Sequence, residues 1–193
     1  MIAAILLAAG ESKRMGTPKM LLPWGNRTVI EHVVITFLKA GIEEILVVTG
    51  GAREQVEQAL ETYPVRKLHN PKYATGEMLL SLQRGIRAMP ERTEAVLIGL
   101  GDQPQVQEQS LRAICDTYRE TASTLIVPSF RRKRGHPWLV ARPLWDELLM
   151  LRPHQTPRDF LNHHADQIQY LNLDTPTILT DLDTREDYEK SRP

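Results

Sequence analysis

The chain carries one cysteine, Cys115. A lone thiol closes no internal disulfide and builds no cysteine-based zinc site, so a reducing compartment, the cytoplasm, is the expected location. Neither sign of charge is in excess, because 24 Lys and Arg balance 24 Asp and Glu. Without a basic surplus, wholesale binding to nucleic acid or a membrane surface is not expected, although a local patch is compatible with neutrality. Long apolar runs are missing too. None reaches the roughly 18 residues of a membrane-crossing helix. The N-terminal run Ile2–Ala9 has no basic flank before it and is too short for a secretory leader. No internal repeat or low-complexity segment stands out. The first loop contains neither GxxxxGK[ST] nor GxGxxG, which excludes the two commonest phosphate-binding signatures there.

What is present suits one domain: 193 residues, of which 41% are hydrophobic, enough for a real core. Short apolar runs alternate with helical patterns. "IAAILLA", "EEILVVTGG", "VRKLHN", "AVLIGLGD" and "STLIVPS" read as strands, and the first, second and fourth end on Gly or Gly-Asp. Between them "VIEHVVITFLKAG", "AREQVEQALETY", "EMLLSLQRGIRAM" and "QVQEQSLRAICDTYRE" repeat apolar residues at helical spacing. Parallel strands need such crossovers, so the expected fold is α/β, a Rossmann-like open and mostly parallel sheet flanked by helices. Ligands of such sheets bind beyond the carboxyl ends of the strands. Gly10, Thr49–Gly51 and Gly101–Asp102 all fall there. The last third is less regular: "WLVAR" and "IQYLNLD" read as strands, "LWDELLMLR" and "TPRDFLNHHA" as short helices, and His163–His164 as a surface pair at a helix end.

The segment "LLAAGESKRMGTPKM" discharges a buried strand into a loop bearing Lys13, Arg14 and Lys19. Backbone N–H groups of a Gly- and Ser-rich loop can aim at an anion, and the cations add fixed charge. A triphosphate carries about four negative charges, so this array suits one. A solvated basic turn is the competing reading.

"LLAAGESKRMGTPKMLLPWGNRTVIEHVV" resembles the signature LxAAGxSxRMGxPKxLLxxxGxxxI of sugar-nucleotide-type nucleotidyltransferases. "GLGDQP" resembles that family's metal-binding GDxP. "RGHPWLV" and "DLDTREDY" resemble features of its molybdenum cofactor cytidylyltransferase branch. The resemblance implies a single nucleotidyltransferase domain over residues 1–193, with a nucleotide-binding half (1–130) and an acceptor-binding half (131–193) that also supplies a metal ligand. It implies Mg²⁺-dependent transfer of CMP from CTP to the phosphate of molybdopterin, with Mn²⁺ as a substitute ion and a molybdoenzyme as recipient of the product. Guanylyl or other nucleotidyl transfer is the alternative reaction, and a non-catalytic cofactor chaperone is the alternative of another class.

Carried over residue by residue, Leu7, Ala8, Ala9 and Gly10 match positions that hold base and ribose, and Ser12, Arg14 and Lys19 match triphosphate-binding positions. Arg14, Lys19 and Asp102 are then the catalytic set. Asp102 matches a metal ligand, and Asp183 the second one, with Asp181 as the alternative; either could instead cap the following helix. Asn70, Gly76 and Ser81 match positions near the nucleotide, although Ser81 reads equally as an ordinary residue inside a helix. Gly135, His136, Pro137 and Arg134 match the acceptor side. Two departures from the family pattern are Gln103, where Met is frequent, and Arg185, where Pro is frequent.

Overall fold

A computed structural model describes residues 1–12, 15–74 and 78–193. The first apolar run forms β1 (Ile2–Ala8) and is buried almost throughout. The chain then makes a small hairpin, β2 (Pro23–Trp24) and β3 (Arg27–Thr28), before α1 (Val29–Lys39). Thr28 starts α1 with a capping box: its side chain accepts from the Glu31 N–H, while Glu31 accepts from the Thr28 N–H at 2.7 Å. β4 (Ile45–Thr49), α2 (Arg53–Ala59), β5 (Arg66–His69), α3 (Met78–Arg87), β6 (Ala95–Leu100), α4 (Glu108–Thr121) and β7 (Leu125–Phe130) continue the expected alternation. They are followed by β8 (Lys133–Arg134), β9 (Trp138–Ala141), α5 (Trp145–Met150), α6 (Pro157–His163), β10 (Gln169–Asn172) and α7 (Arg185–Ser191).

The main sheet runs β10-β7-β9-β6-β1-β4-β5, with β8 paired to β7. Central β1 lies parallel to β4 and β6. Strands buried on both faces need no polar alternation, which is why these segments read as continuous apolar runs. One face packs Ala4, Leu6 and Ala8 of β1 against Ile30, Val34 and Phe37 of α1 and against Leu111 and Ile114 of α4. The other packs Ala3, Ile5 and Leu7 against Leu82 and Ile86 of α3, Leu148 of α5 and Phe160 of α6. Among the described residues no helix is long and apolar enough to cross a membrane.

Periodicity did not reveal the order of the strands. β9 inserts antiparallel between β6 and β7, so the mostly parallel sheet is mixed. The reason is local. Arg131 and Arg132 both take positive φ, 48° and 65°, and fold β7 back on β8 as a hairpin; so short a return can only run antiparallel.

The in-register pairs Ala8↔Thr49 and Leu7↔Leu100 bring the carboxyl ends of β1, β4 and β6 to one rim. The C-terminal segment is docked against the same end of the molecule. Leu182 and Tyr188 share a buried cluster with Trp24 and Val29, and the Tyr188 hydroxyl donates to the Pro23 carbonyl at 2.7 Å.

Candidate active site

The loop beyond β1 is drawn tight. The ends of β1 and β4 approach so closely that a Cβ on Gly50 would stand 2.3 Å from the Ala9 carbonyl oxygen, so only glycine fits there. Ser12 adopts φ 52°. Its carbonyl accepts from the Met15 N–H at 2.9 Å and its hydroxyl oxygen from the Lys19 N–H at 3.0 Å. These bonds fold residue 19 back over the strand ends. Arg14 and its neighbour Lys13 lie outside the described residues, as does Gly76.

Lys19 meets two carboxylates. Its ammonium is ion-paired with Asp102, and Asp183 Oδ1 lies 3.4 Å away. Burial acts to lower the Lys19 pKa, but the Asp102 and Asp183 charges and hydrogen bonds outweigh it and raise the value, so the group stays an ammonium. The C-terminal segment reaches Asp102 through a backbone bond: the Leu182 N–H donates to the Asp102 carbonyl at 3.2 Å. That bond sets Asp181 and Asp183 on either side of it. Thr184, not an aspartate, is the N-cap of α7, in a capping box with Asp187. The helix-capping alternative for Asp181 and Asp183 is thereby removed.

Gln103 acquires a role that the sequence did not suggest. It is 2% exposed, and its Nε2 donates to Asp181 Oδ1 at 2.5 Å. Burial raises the Asp181 pKa, and although Gln103 counteracts this, the Asp102 and Asp183 charges add to the rise. Asp181 is thus held by an amide, while Asp102 and Asp183 both face one cationic point. Two carboxylates converging on a single cation suit a hard divalent ion that keeps several waters.

Beside this cluster lies a cavity of about 230 Å³ lined by Leu7, Ala9, Gly10, Lys19, Ser81 and Asp102. Met20, Tyr73, Met78 and Leu100 line it too, and sequence reasoning missed them. The position of Leu100 at the end of β6 was the available signal. Ala8 turns its methyl into the core on the α1 face, leaving only its backbone for a ligand. Fully buried Asn70 stands behind the wall and donates from Nδ2 to Ser81 Oγ at 2.9 Å, fixing that hydroxyl.

The residues matched to the acceptor side do not line this cavity. Gly135 donates its N–H to the Pro128 carbonyl at 2.8 Å, and His136 donates its own to the Ile178 carbonyl at 2.9 Å. A Cβ on Gly135 would stand 2.6 Å from that same Ile178 oxygen. The motif therefore clamps the segment leading to Asp181, with Pro137 buried beside it. Arg134 is engaged by Tyr170 Oη at 2.8 Å and Asn162 Oδ1 at 2.7 Å.

Burial, assisted by the Arg158 charge, pushes the His136 imidazole down from 6.5 to about 4. At neutral pH it offers no positive charge to a phosphate. The sign of the linkage follows: between those two values the unfolded chain binds the proton first, so stability is present above about 6.5 and falls as pH drops towards about 4. Thermal unfolding measured across this window should show that loss, and His136→Asn should flatten it.

Comparison with known proteins shows the family and the fold. Residues 4–168 match the MobA-like NTP transferase domain. The molybdenum cofactor cytidylyltransferase of Escherichia coli (strain K12) is 29% identical over 187 residues, spanning 97% of this chain and 93% of that protein. The bifunctional protein GlmU of Syntrophomonas wolfei is 32% identical over 131 residues, 66% of this chain but only 28% of that protein. Among solved structures, Rv0371c of Mycobacterium tuberculosis superposes with TM-score 0.84 at 29% identity, covering 98% of this chain and 96% of its own. It has also been solved in complex with manganese, with TM-score 0.80 at 27% identity and coverage of 98% and 96%. A nucleotidyl transferase from Methanothermobacter superposes with TM-score 0.84 at 29% identity, covering all of this chain and 96% of its own.

Proposed function

Since the chain belongs to the MobA-like NTP transferase family, and is accordingly a nucleotidyltransferase, we propose that it transfers CMP from CTP to the phosphate of molybdopterin. The observation that carries the reading is the meeting of Lys19 with Asp102 and Asp183, the first two of which line the cavity together with Leu7, Ala9 and Gly10. A cation and a pair of carboxylates together beside β1 suit the triphosphate of a nucleotide and its divalent ion, which supports the reading. The near full-length likeness to a molybdenum cofactor cytidylyltransferase supports the choice of acceptor, and the manganese complex of a neighbour supports a divalent ion.

The reaction joins an acceptor phosphate oxygen to the α-phosphorus of CTP and breaks the bond from that phosphorus to the oxygen bridging to the β-phosphorus; pyrophosphate departs with that bond's electron pair. Negative charge grows on the equatorial oxygens and on the leaving group. Lys19 answers that charge, exchanging its carboxylate partners for phosphate oxygens, and the same role falls to Arg14. Asp102 and Asp183 would hold Mg²⁺, or Mn²⁺ in its place, which when bound supplies charge neutralisation to the phosphates. Leu7, Ala9 and Gly10 form the wall against which the base lies, Ser12 belongs to the loop that faces the triphosphate, and Gly76 is assigned to nucleotide binding from its sequence motif. The Asn70–Ser81 pair presents a fixed hydroxyl to the sugar. The segment clamped by Gly135, His136 and Pro137, together with Arg134, borders the acceptor.

Incubation with Mg²⁺, molybdopterin and each of the four NTPs, following pyrophosphate, tests the proposal, and CTP should give the highest kcat/KM. Ala9 lines the cavity, and its methyl should narrow the space beside the base and favour a pyrimidine over a purine. One methyl is worth about 1–3 kcal/mol of discrimination, so Ala9→Gly should relax the preference for CTP over GTP without reversing it. A wild type that prefers GTP would overturn cytidylyl transfer and leave nucleotidyl transfer standing.

A further inference from the structure

On the face of the sheet that carries Trp138, α5 and α6 flank another, open cavity of about 390 Å³, bordered among others by Glu147, Gln155, Asp159, His163 and His164. It shares no residue with the nucleotide cavity. His163 is the last residue of α6, and His164 is its C-cap, with φ −97° and ψ 21°. The pair does not lie on the surface together, as the sequence suggested: His163 is exposed, whereas His164 is 4% exposed and packs on Phe160 with ring centroids 4.6 Å apart. The two imidazoles meet edge-on with centroids 5.0 Å apart.

Three potential ligands converge at this point. His164 Nε2 lies 2.9 Å from Glu147 Oε2, and one donor atom from each of Glu147, His163 and His164 lies within 4.8 Å of the others. The other ring nitrogen of His164, Nδ1, is buried and has no hydrogen-bond partner among the described residues, so no bond of its own holds Nε2 in the donor role towards Glu147. A tetrahedral ion bound at about 2.0–2.1 Å holds adjacent ligand atoms roughly 3.3 Å apart. The Glu147–His164 spacing is already close to that, and a rotation of exposed His163 closes the remainder. Two imidazoles and one carboxylate are the donor set of a borderline transition ion, whereas Mg²⁺ takes oxygen ligands and keeps its waters.

We propose that Glu147, His163 and His164 form a binding site for Zn²⁺ or a similar divalent transition-metal ion, separate from the nucleotide site and open to the cavity at its fourth position. A Glu147–His164 hydrogen bond that merely staples α5 to α6 predicts no metal uptake, whereas the second imidazole beside it supplies the third ligand that an ion needs. Bound metal ties the end of α6 to α5, so it should also raise the unfolding temperature.

The test is titration of Zn²⁺ into metal-free protein against a chromophoric chelator, with Co²⁺ absorption as a second readout. Wild type and Asp102→Asn should each take up one equivalent at this site and show visible Co²⁺ bands of four-coordinate intensity. His163→Ala removes an exposed imidazole and Glu147→Gln neutralises an exposed carboxylate, so both should keep the fold by circular dichroism. Each should weaken that equivalent by at least about tenfold and lose the bands. The proposal is overturned if wild type takes up no Zn²⁺, if the equivalent disappears with Asp102→Asn, or if it survives unchanged in both His163→Ala and Glu147→Gln.

Discussion

Asp102→Asn is expected to abolish nucleotidyl transfer while leaving the protein folded. The substitution keeps the shape of the side chain and removes one negative charge from a cluster in which Asp102 and Asp183 share the Lys19 ammonium. A divalent ion would then face one carboxylate fewer, and Asp183, about half exposed, cannot hold it alone. Loss of one preorganised electrostatic partner typically costs on the order of 10²–10³ in rate. Because Asp102 would carry the ion itself, the loss should reach or exceed the upper end. Some stability is also at stake, since removing one partner of a buried ion pair can cost several kcal/mol. Asp183 stays beside Lys19, however, so the ammonium is not stranded and the unfolding temperature should fall only modestly. The measurement is kcat at saturating nucleotide over a wide range of Mg²⁺, with circular dichroism on the same samples. Near-normal turnover at any Mg²⁺ concentration would remove Asp102 from the metal site.

The parts of this arrangement legible in the sequence are those written locally. β1 shows as a run of seven apolar residues because it is buried on both faces, and its end marks the rim where the cavity lies. The basic loop after β1 announces itself by Lys13, Arg14 and Lys19 in the sequence between the strand and the first hairpin. The capping box of α7 was also readable, since Thr184 and Asp187 stand three apart, and it would have freed Asp181 and Asp183 from the capping alternative. What depends on distant segments was not readable. Gln103 and Asp181 are 78 positions apart and meet where the C-terminal segment docks, through the Leu182 N–H to the Asp102 carbonyl and the His136 N–H to the Ile178 carbonyl. The insertion of β9 between β6 and β7 leaves no trace in periodicity, which reports the faces of a strand and not its neighbours. Gly135 stood out as part of a motif, but its need for glycine comes from a carbonyl 43 residues later, at Ile178.

Lys19→Ala should fail differently from Asp102→Asn, and the difference identifies what each charge does. In the structure the Lys19 ammonium stands between the carboxylates on which a divalent ion would depend. Its removal leaves Asp102 and Asp183 without that counter-charge, so the apparent affinity for Mg²⁺ should hold or improve. Turnover should not. If Lys19 answers mainly the charge that develops as the α-phosphorus is attacked, kcat falls by about 10²–10³ while the nucleotide KM changes much less. Asp102→Asn, by contrast, should raise the Mg²⁺ requirement together with its loss of rate. Lys19→Arg is a useful companion, because it retains the charge but replaces a compact ammonium with a planar guanidinium in a site that leaves Lys19 only 13% exposed; it should recover part of the rate and not all of it. Steady-state kinetics with CTP and Mg²⁺ varied independently separate these outcomes. A Lys19→Ala enzyme with unchanged kcat and a raised nucleotide KM would make Lys19 a ground-state binder, and transition-state neutralisation would then have to come from elsewhere in the loop.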